Sequence, residues 1–112
     1  MRRVAPWQVW LVDFAPQVGR KQSGSRPAVV VASRTHCELR TPVTLVVPLT
    51  TRQIPLGYRV EVRVPGSHRP SYAITEQITT VSHERLGDRP LGRLDPDTIN
   101  ELRDVIREMI DI

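Results

Sequence analysis

Tyr58-Arg59-Val60-Glu61-Val62-Arg63-Val64 alternates apolar and charged side chains without a break. A period of two is the mark of a strand with one dry and one wet face, because successive side chains leave an extended backbone on opposite sides. The stretch predicts a half-buried strand whose wet face carries Arg59, Glu61 and Arg63.

Other strands are predicted on both sides of it. Upstream, Trp7-Gln8-Val9-Trp10-Leu11-Val12-Asp13-Phe14 is rich in aromatic and β-branched residues, and Pro27-Ala28-Val29-Val30-Val31-Ala32-Ser33 is a short apolar run. Thr35 to Pro42 reads as polar and irregular, and Val43-Thr44-Leu45-Val46-Val47-Pro48-Leu49 as a buried strand that Pro48 ends. Thr50 to Gly57 is a loop by its polar start and its Pro and Gly. Downstream, Pro65 to Pro70 is turn-rich, Ser71-Tyr72-Ala73-Ile74 and Glu76-Gln77-Ile78-Thr79-Thr80-Val81 continue as strand, and Leu91-Gly92-Arg93-Leu94 is a brief last one after a turn.

Only the C-terminus reads as helix. Asp95 is placed to cap it, Pro96 suits the first turn, and Ile99, Leu102, Val105, Ile106, Met109 and Ile110 recur at helical spacing. Short strands, Gly/Pro turns and one terminal helix predict a mainly β protein with a C-terminal α-helix. The expected form is a small, strongly curved antiparallel sheet or barrel covered by that helix. With 112 residues and no repeat or linker, a single domain over 1–112 is expected.

Charge narrows the partner class. The net charge of +4 conceals an asymmetry: residues 95–112 hold six acids against Arg103 and Arg107, so the remainder carries the basic excess. A basic β body attracts a polyanion, which makes nucleic acid the leading partner. Without an apolar stretch of roughly 20 residues or a basic amphipathic helix, no membrane role is expected. The lone Cys37 and the absence of a secretory leader point to a reducing cytoplasm.

Three segments carry candidate chemistry. Val18-Gly19-Arg20-Lys21-Gln22-Ser23-Gly24-Ser25-Arg26-Pro27 is a glycine-punctuated loop with three cations and no acid, suited to phosphate or simply solvated. Thr50-Thr51-Arg52 follows a buried strand that holds a hydroxyl and a guanidinium in place, unless the threonines only satisfy backbone. Glu76-Gln77 sets an acid and an amide on a strand, facing either a concave surface or solvent. His36, His68 and His83 lack the spacing of a zinc site, and no Walker loop, dinucleotide fingerprint or nucleophile-elbow motif occurs, so no cofactor is expected.

In order along the chain, these segments resemble the MazF/PemK/Kid family of bacterial toxins, small endoribonucleases. The resemblance rests on Val9 to Pro16, then Val18-Gly19, Gln22, Gly24, Arg26 to Val31, Val46-Val47-Pro48-Leu49-Thr50-Thr51, Glu76 to Val81 and Leu91-Gly92-Arg93-Leu94. It implies an SH3-like antiparallel β-barrel, a homodimer, and metal-independent cleavage of single-stranded mRNA by its own ribose 2′-hydroxyl, giving growth arrest. It also implies a cognate MazE-like antitoxin as partner.

Position by position, the resemblance assigns Arg26 to stabilising the phosphorane and Thr50 to hydrogen-bonding the scissile phosphate. Glu76 is the matching acid and the chemically reasonable proton acceptor, since arginine is a poor base. Arg20, Lys21, Gln22, Thr51, Arg52 and Gln77 are expected to bind RNA. Many relatives have Ser-Glu or His-Glu where this chain has Arg20-Lys21, which adds positive charge for phosphate. Ile74 replaces an arginine that some relatives carry two residues before the acid, and Arg20 or Lys21 is expected to offset it. Two alternatives share the expected fold: a gyrase-poisoning toxin of the CcdB type, whose Trp-Gly-Ile ending differs from Ile110-Asp111-Ile112, and a noncatalytic RNA-binding barrel.

Overall fold

A computed structural model of the protein describes residues 2–14, 24–53 and 57–112. Its strands are β1 (Gln8–Asp13), β2 (Ser25–Val30), β3 (Val43–Thr50), β4 (Val60–Val62), β5 (Ser71–Ala73), β6 (Thr79–Ser82) and β7 (Gly92–Arg93). They form one sheet in the order β4-β5-β3-β2-β1-β7, with β6 also paired to β3. Every ladder is antiparallel. Among the described residues two helices complete the fold, α1 (Arg34–Glu38) and α2 (Pro96–Met109), with short 3-10 turns at Thr75–Gln77 and His83–Arg85.

The central strands are dry on both faces. Val9, Val29 and Val47 lie in register and pack with Leu49, Val60 and Val62 against Leu94, Ile99 and Leu102, the last two from α2. Trp10, Val12, Ala28, Val30 and Val46 occupy the other face and bury Val4, Ala32, Val81 and Leu86. Double coverage explains why the valines of β2 and β3 run on without alternation. Each fully buried valine or leucine contributes about 1.5–3 kcal/mol relative to exposure.

The sheet curls until its ends meet. A Cβ built on Gly92 of β7 would lie 2.5 Å from Cγ of Pro65, which follows β4, so only glycine permits the approach. Helix α2 is fixed at its start by Asp95, whose carboxylate accepts from the Thr98 N–H at 3.2 Å and the Thr98 hydroxyl at 2.6 Å. Farther along, the Arg103 guanidinium lies 5.4 Å above the Trp7 ring. Trp7 holds a φ of 70°, kept there by its N–H donating to Val30 O at 2.7 Å and its carbonyl accepting from Leu94 N.

Four features differ from the sequence reading. Arg34–Glu38 is helical rather than irregular; Ser33 Oγ caps it by accepting from His36 N, and five residues are too few to display a period. Strand β3 runs through Pro48 to Thr50, because the missing N–H falls where the partner changes from β6 to β5 and the Pro48 carbonyl still accepts from Ile74 N at 2.9 Å. Glu76 and Gln77 lie in a 3-10 turn, not on a strand. Val46 pairs with Thr79 and Leu49 with Ala73, so three steps on β3 face six on its partner, and the surplus bulges out of the ladder. Finally, β4 begins only at Val60, so Arg59 precedes it and is not bound to the wet face; its side chain is 10% exposed.

Candidate active site

Thr50, Thr51 and Arg52 mark the end of β3, and Arg26 and Glu76 come from the elements on either side of that strand. Thr50 closes the strand half-buried, and its Oγ1 accepts from the N–H of Arg52 at 3.1 Å. That bond uses an acceptor site of the hydroxyl and leaves its hydrogen to donate. Thr51 and Arg52 follow, both exposed.

Arg26 approaches along the neighbouring strand. It is the second residue of β2, facing Val12 of β1. The β2–β3 ladder ends on Ala28 opposite Pro48; two residues farther along each strand stand Arg26 and Thr50. A period of two puts both on the face of Ala28 and Pro48. Gly24, with φ +84°, supplies the bend that starts β2. Among the described residues the Arg26 side chain has no hydrogen-bond or ion-pair partner, so its fork of donors is unspent. Arg20, Lys21 and Gln22 lie outside the described residues.

Glu76 enters from the other edge of β3, in the turn joining β5 to β6. Its Oε2 accepts from the Tyr58 hydroxyl at 3.2 Å and faces Nη2 of Arg59 at 3.9 Å. Gln77 is exposed beside it, its N–H bonded to Ile74 O at 2.9 Å. Among the described residues no side-chain bond joins Glu76 to Arg26 or Thr50. The cation next to the acid is Arg59, which the alternating stretch had placed in water. No local pattern marks the partnership, since Tyr58 is eighteen residues from Glu76.

The Tyr58 phenol titrates above its ordinary range, first through partial loss of solvent and then through its hydrogen bond to, and the negative charge of, Glu76. It therefore stays a neutral donor at neutral pH. Burial likewise pushes the Cys37 thiol up, with Arg34 opposing and Glu38 reinforcing, so no activated thiolate competes as a nucleophile. A cavity of about 480 Å³ at Arg2, Arg3, Arg40 and His83 contains none of these candidate residues.

A guanidinium and a hydroxyl hydrogen on adjacent strands, with a carboxylate past the far edge of β3, can chemically supply donors for developing negative charge and an acceptor for a proton. Residues 5–110 match the family described as PemK-like, MazF-like toxin of type II toxin–antitoxin system. The endoribonuclease toxin MazF of Escherichia coli strain K12 is 31% identical over 102 residues, covering 91% of this chain and 88% of that protein. The crystal structure of MazF from Deinococcus radiodurans superposes with a TM-score of 0.80 at 17% identity over the full length of both chains. An endoribonuclease in complex with its cognate antitoxin from a mycobacterial species superposes at 0.76 with 22% identity, over 100% of this chain and 97% of that one. Family match, identity and fold agree: the chain belongs to the PemK-like, MazF-like toxins of type II toxin–antitoxin systems.

Proposed function

We propose that this chain is a metal-independent, sequence-specific endoribonuclease that cuts single-stranded mRNA and arrests growth. The observation that supports the reading is the arrangement around the last residues of β3: the strand of Arg26 lies on one side of it, while on the other Thr50 pairs with Tyr72 and the turn of Glu76 bulges out between the Leu49–Ala73 and Val46–Thr79 pairs.

The ribose 2′-oxygen attacks the adjacent phosphorus as the bond to the 5′-oxygen breaks, leaving a 2′,3′-cyclic phosphate and a 5′-hydroxyl. Glu76 accepts the 2′-hydroxyl proton, and the 5′-oxygen takes up a proton as it leaves. Thr50 donates its hydrogen to the scissile phosphate. Arg26 meets the charge that grows on the phosphorane oxygens, where preorganised donors lower a barrier most. Arg20, Lys21, Gln22, Thr51, Arg52 and Gln77 hold the flanking strand, the cations by charge and the polar groups by hydrogen bonds.

The partners follow from the same surface. A cognate antitoxin with an acidic, disordered segment suits the basic body, as a homodimer suits the family, and the site of action is the cytoplasm. Among the described residues no helix is long and apolar enough to cross a membrane. Incubating the purified protein with long RNA in a chelator tests the reading, and fragments of discrete size are expected. Intact RNA across many sequences overturns it, and inhibition of supercoiling in its place favours the gyrase alternative.

A further inference from the structure

We propose that Tyr58 and Arg59 are positioning residues for Glu76, a role that rests on the nuclease reading above. Both act on one oxygen. Oε2 of Glu76 accepts from the Tyr58 hydroxyl at 3.2 Å and faces Arg59 Nη2 at 3.9 Å, whereas Oε1 has no side-chain donor among the described residues. A carboxylate held by one oxygen keeps the other for the incoming proton.

Arg59 is built into this place rather than lying on the surface by chance. Its side chain is 10% exposed against 37% for Glu76, and its Nε is buried without a hydrogen-bond partner among the described residues. Burying a guanidinium costs free energy, and a nearby negative charge offsets part of it. Glu76 is that charge: it is the one acid within 4.0 Å of Arg59 among the described residues. The Thr75 hydroxyl donates to Tyr58 O at 3.4 Å, tying the turn of Glu76 to the segment that carries both partners.

Among the described residues no other element supplies a competing ion. Strand β3 contributes no titratable side chain to its contact with the turn, and Ile74 is apolar and buried. Helix α2 also packs there, but its acids and arginines are exposed and none pairs with Glu76. Among the described residues the cation beside Glu76 is thus Arg59, from the segment that enters the neighbouring strand β4, rather than one at position 74; Arg20 and Lys21 lie outside them.

A double-mutant cycle tests the role. Cleavage sites are first mapped on long RNA, and a short oligoribonucleotide containing one serves as substrate. Tyr58→Phe, Arg59→Gln and Arg59→Lys are then measured alone and with Glu76→Gln. Glu76→Gln is expected to lower kcat about 100-fold or more. Arg59→Gln and Tyr58→Phe each lower kcat by about tenfold with KM changed less than about twofold, and Arg59→Lys recovers part of the loss. In the Glu76→Gln background both effects vanish, which a structural defect would not produce. Thermal melts identify any variant that fails to fold, and Tyr58→Phe, removing one oxygen from a half-buried ring, carries the comparison if Arg59→Gln does.

Equal losses in both backgrounds, or losses confined to KM, overturn the positioning role while leaving the nuclease reading intact. If Glu76→Gln cleaves like the wild type, the proton-acceptor assignment falls and the role falls with it. A wild-type protein that leaves RNA whole overturns the function itself.

Discussion

The N–H of Arg52 donates to Thr50 Oγ1 at 3.1 Å, turning the end of β3 back on itself so that a loop residue orients a strand residue. The hydroxyl hydrogen of Thr50 is left over, and it is the feature the proposed chemistry uses. Thr50→Val, which keeps the shape and removes the oxygen, is therefore expected to lower cleavage about 10²–10³-fold, the usual effect of deleting one transition-state donor. Thr50→Ser is expected to stay within about tenfold of wild type, since the donor survives and only the β-branch is lost. Single-turnover cleavage of a mapped oligoribonucleotide measures both.

Gly92 and Pro65 predict a stability effect that leaves the site alone. A methyl group at position 92 would meet the Pro65 ring, which has no flexible end to swing aside. Gly92→Ala is expected to cost about 1–3 kcal/mol through overpacking, read as a lower denaturation midpoint with an unchanged m-value. An unaltered midpoint would mean that the sheet ends do not close at this point.

The cap of α2 predicts how stability follows pH. Thr98 holds the Asp95 carboxyl below its ordinary range, chiefly through its hydroxyl and then its N–H, against a smaller opposing loss of solvent. The native state thus favours the ionised form more than the unfolded chain does. This contribution is complete above the ordinary carboxylate range and disappears as pH falls through the lowered native value. Asp95→Asn keeps an acceptor for the cap but removes the titration, so its acid-side loss of melting temperature is expected to be shallower than that of wild type. Parallel slopes would place the acid sensitivity elsewhere.

What could be read in the chain divides along physical lines. Strands β1, β2 and β3 were legible because apolar runs of β-branched residues need burial wherever they lie, and α2 because cap, proline and period coincide. The turn at Glu76 was not, since a bulge is a property of two strands counted against each other and neither strand contains it alone. Arg59 misled for a related reason: alternation assigns faces only inside a pleat, and β4 starts one residue too late to include it. Arg26 and Thr50 were identified from the family resemblance, while their placement at the ends of neighbouring strands is a matter of register.

The most direct measurement of the central claim is the chemistry of the ends left on RNA cut in the presence of a chelator, by wild type and by Arg26→Ala. Wild-type fragments should carry a 5′-hydroxyl, open to direct labelling by a kinase without prior phosphatase, and a 2′,3′-cyclic phosphate. Arg26→Ala should yield no fragments at the same protein concentration. Fragments with 5′-phosphate ends, or equal cleavage by Arg26→Ala, would contradict the account.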